Sequence, residues 1–154
     1  MQKTTLYSLI FSIFFVFSLS AQSLPLQVGT VSSGGTTALT LSDAQLSAQL
    51  SDILNNRSLS NAVIQSATDD MGLFYFIRAN VTHVGSTTSG VIIIVLSQSG
   101  NTLVFTGDDC TMECSAGLPC GGCFQNIISR CKSQECKCTT ESGGCTSTIT
   151  FGKK

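Results

Sequence analysis

The residues of this chain best suited to chemistry are eight cysteines, and all of them lie between residues 110 and 145. Thiols at this density can form disulfides, bind a soft metal ion, or exchange disulfides with other thiols. No cysteine occurs elsewhere in the 154 residues, so any such chemistry belongs to the cysteine-rich tail, residues 110–154. The cysteines are Cys110, Cys114, Cys120, Cys123, Cys131, Cys136, Cys138 and Cys145.

Disulfide formation is the first hypothesis for the tail. The number of cysteines is even, and the tail is too polar and too short to build a core of its own, which is typical of segments held together by disulfides. The pairing stays open, because eight cysteines allow many connectivities. Cys136 and Cys138 are two residues apart and would point to the same side of an extended segment. We therefore expect each of these two to bond with a cysteine elsewhere.

A thiolate metal site is the second hypothesis. Cys120 and Cys123 are separated by two residues, and Cys136 and Cys138 by one, which resembles the two halves of a zinc site with four thiolate ligands. The other four cysteines could form another such site. In an exported chain these thiols would have to escape oxidation, so we favour disulfides and expect no cofactor.

Thiol–disulfide exchange is the third hypothesis, and its candidate catalytic pair is Cys120 and Cys123. Apolar residues and a further cysteine follow this pair at helical spacing: Phe124, Ile127, Ile128 and Cys131. If a helix formed there, Cys120 would lie at its N-terminus, where the helix dipole stabilises a thiolate. However, no βαβ pattern precedes the pair, and six other cysteines surround it.

The N-terminus predicts export. Lys3 precedes an apolar stretch over residues 6–19, and small residues then allow cleavage after Ser20 or Ser23. This is the three-part pattern of a secretory signal peptide. The stretch is shorter than the roughly 20 residues that a membrane-spanning helix needs. We therefore expect a secreted protein, extracellular or periplasmic, with no membrane span after cleavage of the signal.

The charge of the chain argues against a nucleic-acid partner. Charged residues make up only 11% of the sequence, with eight basic and nine acidic side chains. Removal of Lys3 with the signal leaves seven basic residues against nine acidic ones, a formal charge of −2. No basic surface interleaved with aromatic residues is evident, so we expect a protein or cell-surface partner that the sequence does not identify.

A helix and several strands are predicted before the tail. Ser42 and Gln45 have the spacing of a capping box, and an apolar stripe follows: Leu46, Leu50, Ile53 and Leu54. Alternating or continuous apolar residues predict strands at 73–83, 91–96 and 102–106, with a weak candidate at 62–66 and a short last strand at 145–151. One face of these strands, carrying Phe74, Phe76, Ile92 and Ile94, should be covered by the tail or by a partner.

These observations together predict an α+β fold. One amphipathic helix would pack on an antiparallel sheet of three or four strands, followed by a small disulfide-rich C-terminal module. The predicted divisions are a signal peptide (1–23), a Ser/Thr/Gly-rich arm (24–40), an α+β body (41–109) and a disulfide module (110–154). We find no catalytic constellation, so we expect a non-enzymatic protein with a binding or structural role at the cell exterior.

Overall fold

The computed structural model describes residues 25–55, 57–83, 89–117, 120, 122–140 and 143–152. The predicted signal peptide lies outside these residues. Two short helices occur in the described chain, α1 (Asp43–Gln49) and α2 (Ser51–Leu54). Its ten strands are β1 (Leu26–Val31), β2 (Thr37–Leu39), β3 (Arg57–Asp69), β4 (Gly72–His83), β5 (Ser89–Ser99), β6 (Thr102–Phe105), β7 (Cys110–Ala116), β8 (Cys123–Ser129), β9 (Ser133–Cys138) and β10 (Cys145–Phe151).

The predicted fold class is wrong, because the protein is mostly sheet. Eight strands form one antiparallel sheet, and β8 and β9 form a second sheet of two strands. The arm at 24–40 contributes β1 and β2, and the first and last strands of the tail, β7 and β10, also join the large sheet. Strand β7 was not predicted, because two of its three alternating buried residues are cysteines. These buried residues are Cys110, Met112 and Cys114.

The helix starts as its sequence predicts. The side chain of Ser42 accepts a hydrogen bond from the Gln45 backbone amide, and the Gln45 side chain accepts one from the Ser42 amide, so the capping box is present. Leu46, Leu50 and Leu54 are buried in the main core. The helical segment ends at Asn55, which adopts a left-handed backbone conformation. The predicted stripe is therefore confirmed as a core face, although the helix divides into two short pieces.

The long strand β5 is the centre of the large sheet. It pairs with β4 over residues 89–96, with β7 over residues 90–94 and with β6 over residues 97–99. Strand β3 extends the sheet beyond β4, and β10 extends it beyond β7. Strands β1 and β2 continue it from β6. All of these pairings are antiparallel.

The sheet curls until β1 and β2 approach β3. The Thr37 hydroxyl donates a hydrogen bond to the Ile64 carbonyl at 3.1 Å. Gly29 lies at this close approach, where a β-carbon would collide with the Ile64 side chain and with the Ala38 carbonyl oxygen. A glycine at this position therefore permits the curl that encloses the main core.

Each face of the large sheet carries its own apolar cluster. The main cluster contains Tyr75, Ile77, Ala79 and Val81 of β4, and the helix leucines pack with them. The alternation along residues 73–83 predicts that Leu73 shares this face, but its side chain is 59% exposed. The second cluster contains Phe74 and Phe76, and Ile127 and Cys131 of the tail pack against it. The expectation that the tail covers the phenylalanine face is confirmed.

The assignment of Ile92 and Ile94 to the phenylalanine face is wrong. Ile94 is the cross-strand partner of Ile77, and Ile92 is the partner of Ala79. Cross-strand partners point to the same face of a sheet, so both isoleucines belong to the main core. Ile93 and Val95 take the places beside Phe74 and Phe76. Because β5 is apolar on both faces, its sequence pattern alone could not show which of its residues face the main core.

Candidate functional site

The segment after Cys120 is a strand. Residues 123–129 form β8, which pairs with β9 in the hairpin of the second sheet. Cys123 lies opposite Cys138 at one end of this hairpin, and Ser129 lies opposite Ser133 at the other. The helix that would have placed Cys120 at a positive helix terminus does not form. The side chains of β8 alternate between the sheet below and solvent, with Cys123 and Gln125 buried and Phe124 exposed.

Four disulfides join all eight cysteines. Their Cα atoms are 5.6 to 6.0 Å apart, within the range of about 4.4–6.8 Å that a disulfide spans. As expected, Cys136 and Cys138 each bond with a cysteine outside their own segment. The pairs are Cys110–Cys131, Cys114–Cys136, Cys120–Cys138 and Cys123–Cys145.

The disulfides attach the β8–β9 hairpin to the large sheet. Cys110 and Cys114 of β7 are completely buried and bond to Cys131 at the hairpin turn and to Cys136 in β9. Cys145, the first residue of β10, bonds to Cys123 in β8. The hairpin therefore lies over the second apolar cluster as a cross-linked layer. Each such bond typically stabilises a fold by about 2–4 kcal/mol, chiefly by restricting the unfolded chain.

The structure brings together three sulfur atoms that the sequence did not group. The Sγ atoms of Cys120, Cys123 and Cys145 all lie within 4.8 Å of one another. Cys120 and Cys123, the predicted redox pair, are bonded to Cys138 and Cys145 and not to each other.

The metal-site hypothesis used Cys120, Cys123, Cys136 and Cys138. Cys136 is bonded to Cys114, and Cys120 is bonded to Cys138, so these sulfurs are not thiolates in the oxidised protein. Because zinc binds thiolate sulfur, metal binding by these residues would first require reduction of the disulfides.

Asp69 and Arg130 form a polar attachment between the sheet and the hairpin that the sequence analysis missed. The Asp69 carboxylate accepts hydrogen bonds from the Arg130 backbone amide at 3.0 Å and from the Arg130 guanidinium at 3.3 Å. A third bond comes from the Met71 amide at 2.9 Å. Burial alone would raise the pKa of Asp69, but these amides and the guanidinium together hold that pKa below its ordinary value.

Two glutamines bind the hairpin to the backbone of the large sheet. The buried Gln125 amide donates a hydrogen bond to the Met112 carbonyl at 3.0 Å. The Gln134 amide donates to the carbonyls of Glu113 at 3.0 Å and Thr148 at 3.1 Å. Backbone acceptors on β7 and β10 thus gain donors from the hairpin. No periodic signal in the sequence distinguishes these glutamines from exposed ones.

The outer face of β8 exposes large apolar side chains. Phe124 is 51% exposed and Ile128 is 61% exposed. Phe124 lies between buried Cys123 and Gln125, and Ile128 lies at the register shift between Ile127 and Ser129. The guanidinium of Arg78 lies 5.9 Å from the centre of the Phe124 ring. We call Phe124 and Ile128 the outer apolar pair.

None of the helices in the described residues is long and apolar enough to cross a membrane. Comparison with known proteins identifies no relative, since no protein-family model, curated protein or solved structure matches the chain.

Proposed function

We propose that this chain is exported and acts at the cell exterior as a disulfide-stabilised binding or structural module without catalytic activity. The observation that carries this proposal is the use of all eight cysteines in four disulfides. Such bonds persist in secreted and periplasmic proteins and are rare in the reducing cytosol. The signal-peptide pattern of residues 1–23 supports the same compartment.

The surface that we propose for binding is the solvent-facing side of the β8–β9 hairpin. Disulfides hold this hairpin to the sheet, so its residues lose little conformational freedom when a partner binds. The outer apolar pair supplies contact area that would otherwise remain in water, and Arg78 beside Phe124 adds a positive charge. A protein or a cell-surface component with an apolar patch fits these features.

Intact mass spectrometry of the exported protein tests the compartment and the chemistry together. We expect a mature N-terminus at Ala21 or Leu24, no alkylation before reduction and eight alkylated cysteines after reduction. Retention of residues 1–23 together with eight free thiols would contradict export. A single easily reduced pair would favour the redox alternative, and free thiols with bound zinc would favour the metal alternative.

A binding assay tests the surface. The labelled mature protein would be incubated with intact cells of the organism that makes it, and bound label would be measured. We expect the double substitution Phe124→Ser and Ile128→Ser to abolish binding without lowering thermal stability. Leu73→Ser is the matched control, because Leu73 is 59% exposed and lies outside the hairpin. Equal binding by the unsubstituted protein, the double variant and Leu73→Ser would exclude the outer apolar pair as the contact surface.

A further inference from the structure

Four of the tail cysteines are placed for two different pairings. In the structure, Cys120 is bonded to Cys138 and Cys123 is bonded to Cys145. The Sγ atoms of Cys120 and Cys145 nevertheless lie only 3.8 Å apart. A sulfur of one disulfide is therefore in van der Waals contact with a sulfur of the other.

The other two cysteines also face each other. Cys123 and Cys138 are cross-strand partners at the end of the β8–β9 hairpin. Directly opposed residues of an antiparallel pair have Cα atoms about 4.5–5.5 Å apart and side chains on the same face. This separation lies within the range that a disulfide can bridge. The alternative bonds, Cys120–Cys145 and Cys123–Cys138, thus need no rearrangement of strands.

We propose that Cys120, Cys123, Cys138 and Cys145 form a thiol-exchange site, at which an external thiolate converts one pairing into the other. The thiolate attacks the Sγ of half-buried Cys138, bonds to it and releases Cys120 as a thiolate. Cys120 attacks Cys145, forms the Cys120–Cys145 bond and releases Cys123 as a thiolate. Cys123 then attacks the mixed disulfide at Cys138, forms the Cys123–Cys138 bond and returns the external thiolate.

The sequence of exchanges has no net oxidation or reduction, so the external thiol acts as a catalyst. Its chemical class is a small thiol such as glutathione, because Cys120 and Cys123 are buried and only the half-buried sulfurs admit an attacking group. The inference depends on the tail being oxidised, as in the proposed function, and does not depend on the binding role.

The Cys110–Cys131 disulfide provides an internal comparison. Its sulfurs belong to the second apolar cluster, whereas Cys120 and Cys123 belong to a separate buried cluster with Cys114. Neither Cys110 nor Cys131 is part of the group of close sulfurs formed by Cys120, Cys123 and Cys145. An external thiolate that opened this bond would leave Cys110 next to apolar side chains, and the bond would simply reform.

The test compares Cys120→Ser with Cys131→Ser, each equilibrated with reduced glutathione at about pH 8, where a substantial fraction of free thiol is ionised. Free thiols are then alkylated and the disulfide-linked peptides identified. In Cys120→Ser, we expect the label to be shared between Cys138 and Cys145 and a Cys123–Cys138 peptide to appear. In Cys131→Ser, we expect the label to remain on Cys110, with the Cys114–Cys136 bond unchanged and no new bond between Cys110 and another cysteine.

Label confined to Cys138 in Cys120→Ser would overturn the proposal. The unmodified protein supplies a second measurement that does not depend on a variant folding. After treatment with substoichiometric glutathione, backbone fragmentation between Gly121 and Gly122 separates Cys120 from Cys123 and distinguishes the two pairings. We expect both pairings after treatment, and detection of a single pairing would contradict exchange. Failure of export alters neither measurement, since both use purified oxidised protein.

Discussion

The carboxylate of Asp69 binds both the backbone amide and the guanidinium of Arg130, and so fixes the β3–β4 turn to the turn of the β8–β9 hairpin. The same guanidinium lies 4.5 Å from the centre of the Phe74 ring in the second apolar cluster. One arginine therefore contacts both a charge and an aromatic ring of the sheet. Ionised Asp69 therefore adds a polar attachment to the disulfides that hold the hairpin.

The first prediction concerns acid stability. The folded protein holds the pKa of Asp69 below its ordinary value of 3.8, so in this range the unfolded chain binds a proton more readily than the folded one. The stabilisation from Asp69 is therefore complete above that ordinary value and is lost as the pH falls through the lowered folded pKa. We expect Asp69→Asn to lower the melting temperature at neutral pH and to weaken its dependence on pH in the acid range.

Asp70→Asn is the control for this measurement. Asp70 forms an ion pair with Lys132, and both side chains are largely exposed. Exposed pairs contribute about 0–1 kcal/mol, so this variant should retain the acid dependence of the original protein. An unchanged acid transition in Asp69→Asn, measured by thermal melts over a pH series, would show that Asp69 does not hold the hairpin.

The second prediction concerns the helix face. Leu50 is 2% exposed and packs in the main cluster, whereas Leu73 is 59% exposed at the start of β4. We expect Leu50→Ala to lower the free energy of unfolding by about 2–5 kcal/mol, because a buried leucine leaves a cavity. Leu73→Ala should change it by less than about 0.5 kcal/mol. Chemical denaturation compares the two, and equal effects would contradict the packing of α1 and α2.

The third prediction concerns the close approach of β1 to β3. A methyl group at Gly29 would meet the Ile64 side chain and the Ala38 carbonyl oxygen, so Gly29→Ala should destabilise the fold by about 1–3 kcal/mol. Gly34 lies in the turn after β1, and a β-carbon there would meet only the Ser32 hydroxyl at 3.9 Å. Gly34→Ala should therefore leave the denaturation midpoint unchanged or raise it. A neutral Gly29→Ala would mean that the sheet curls less than the structure indicates.

The helix start and the strands β4, β5 and β6 could be predicted from the sequence. Ser42 and Gln45 carry the signal for the helix start, and the alternation of Tyr75, Ile77 and Ala79 shows which residues of β4 share a face. These patterns depend on neighbouring residues only. A short-range pattern is sufficient when the burial of each residue follows the period of its own helix or strand.

The size of the sheet could not be predicted in the same way. Strand β3 runs for 13 residues, but a register shift between Ser60 and Val63 interrupts its alternation, and only residues 62–66 gave a signal. The Asp43 carboxylate accepts hydrogen bonds from the Asn61 and Ala62 amides at this shift. A contact between residues 18 positions apart therefore shapes the strand, and no local pattern reports it.

In the tail, disulfide formation could be predicted from the sequence, but the pairing of the cysteines could not. The number and clustering of its cysteines predicted disulfides, and the spacing of Cys136 and Cys138 predicted that each bonds elsewhere. The pairing itself depends on how β7 lies beneath the β8–β9 hairpin. That arrangement in turn depends on long-range contacts such as the one between Asp69 and Arg130. Spacing alone therefore could not identify Cys145 as a neighbour of Cys120.

The β8–β9 hairpin is a layer on the large sheet, and the eight cysteines of the tail form four specific disulfides. Peptide mapping of the purified protein, digested without reduction and before any exposure to thiols, tests this pairing. The structure predicts linked peptides for Cys110–Cys131, Cys114–Cys136, Cys120–Cys138 and Cys123–Cys145, with no alkylated cysteine. A Cys120–Cys123 bond, or eight thiols that react freely with the alkylating reagent, would contradict this account.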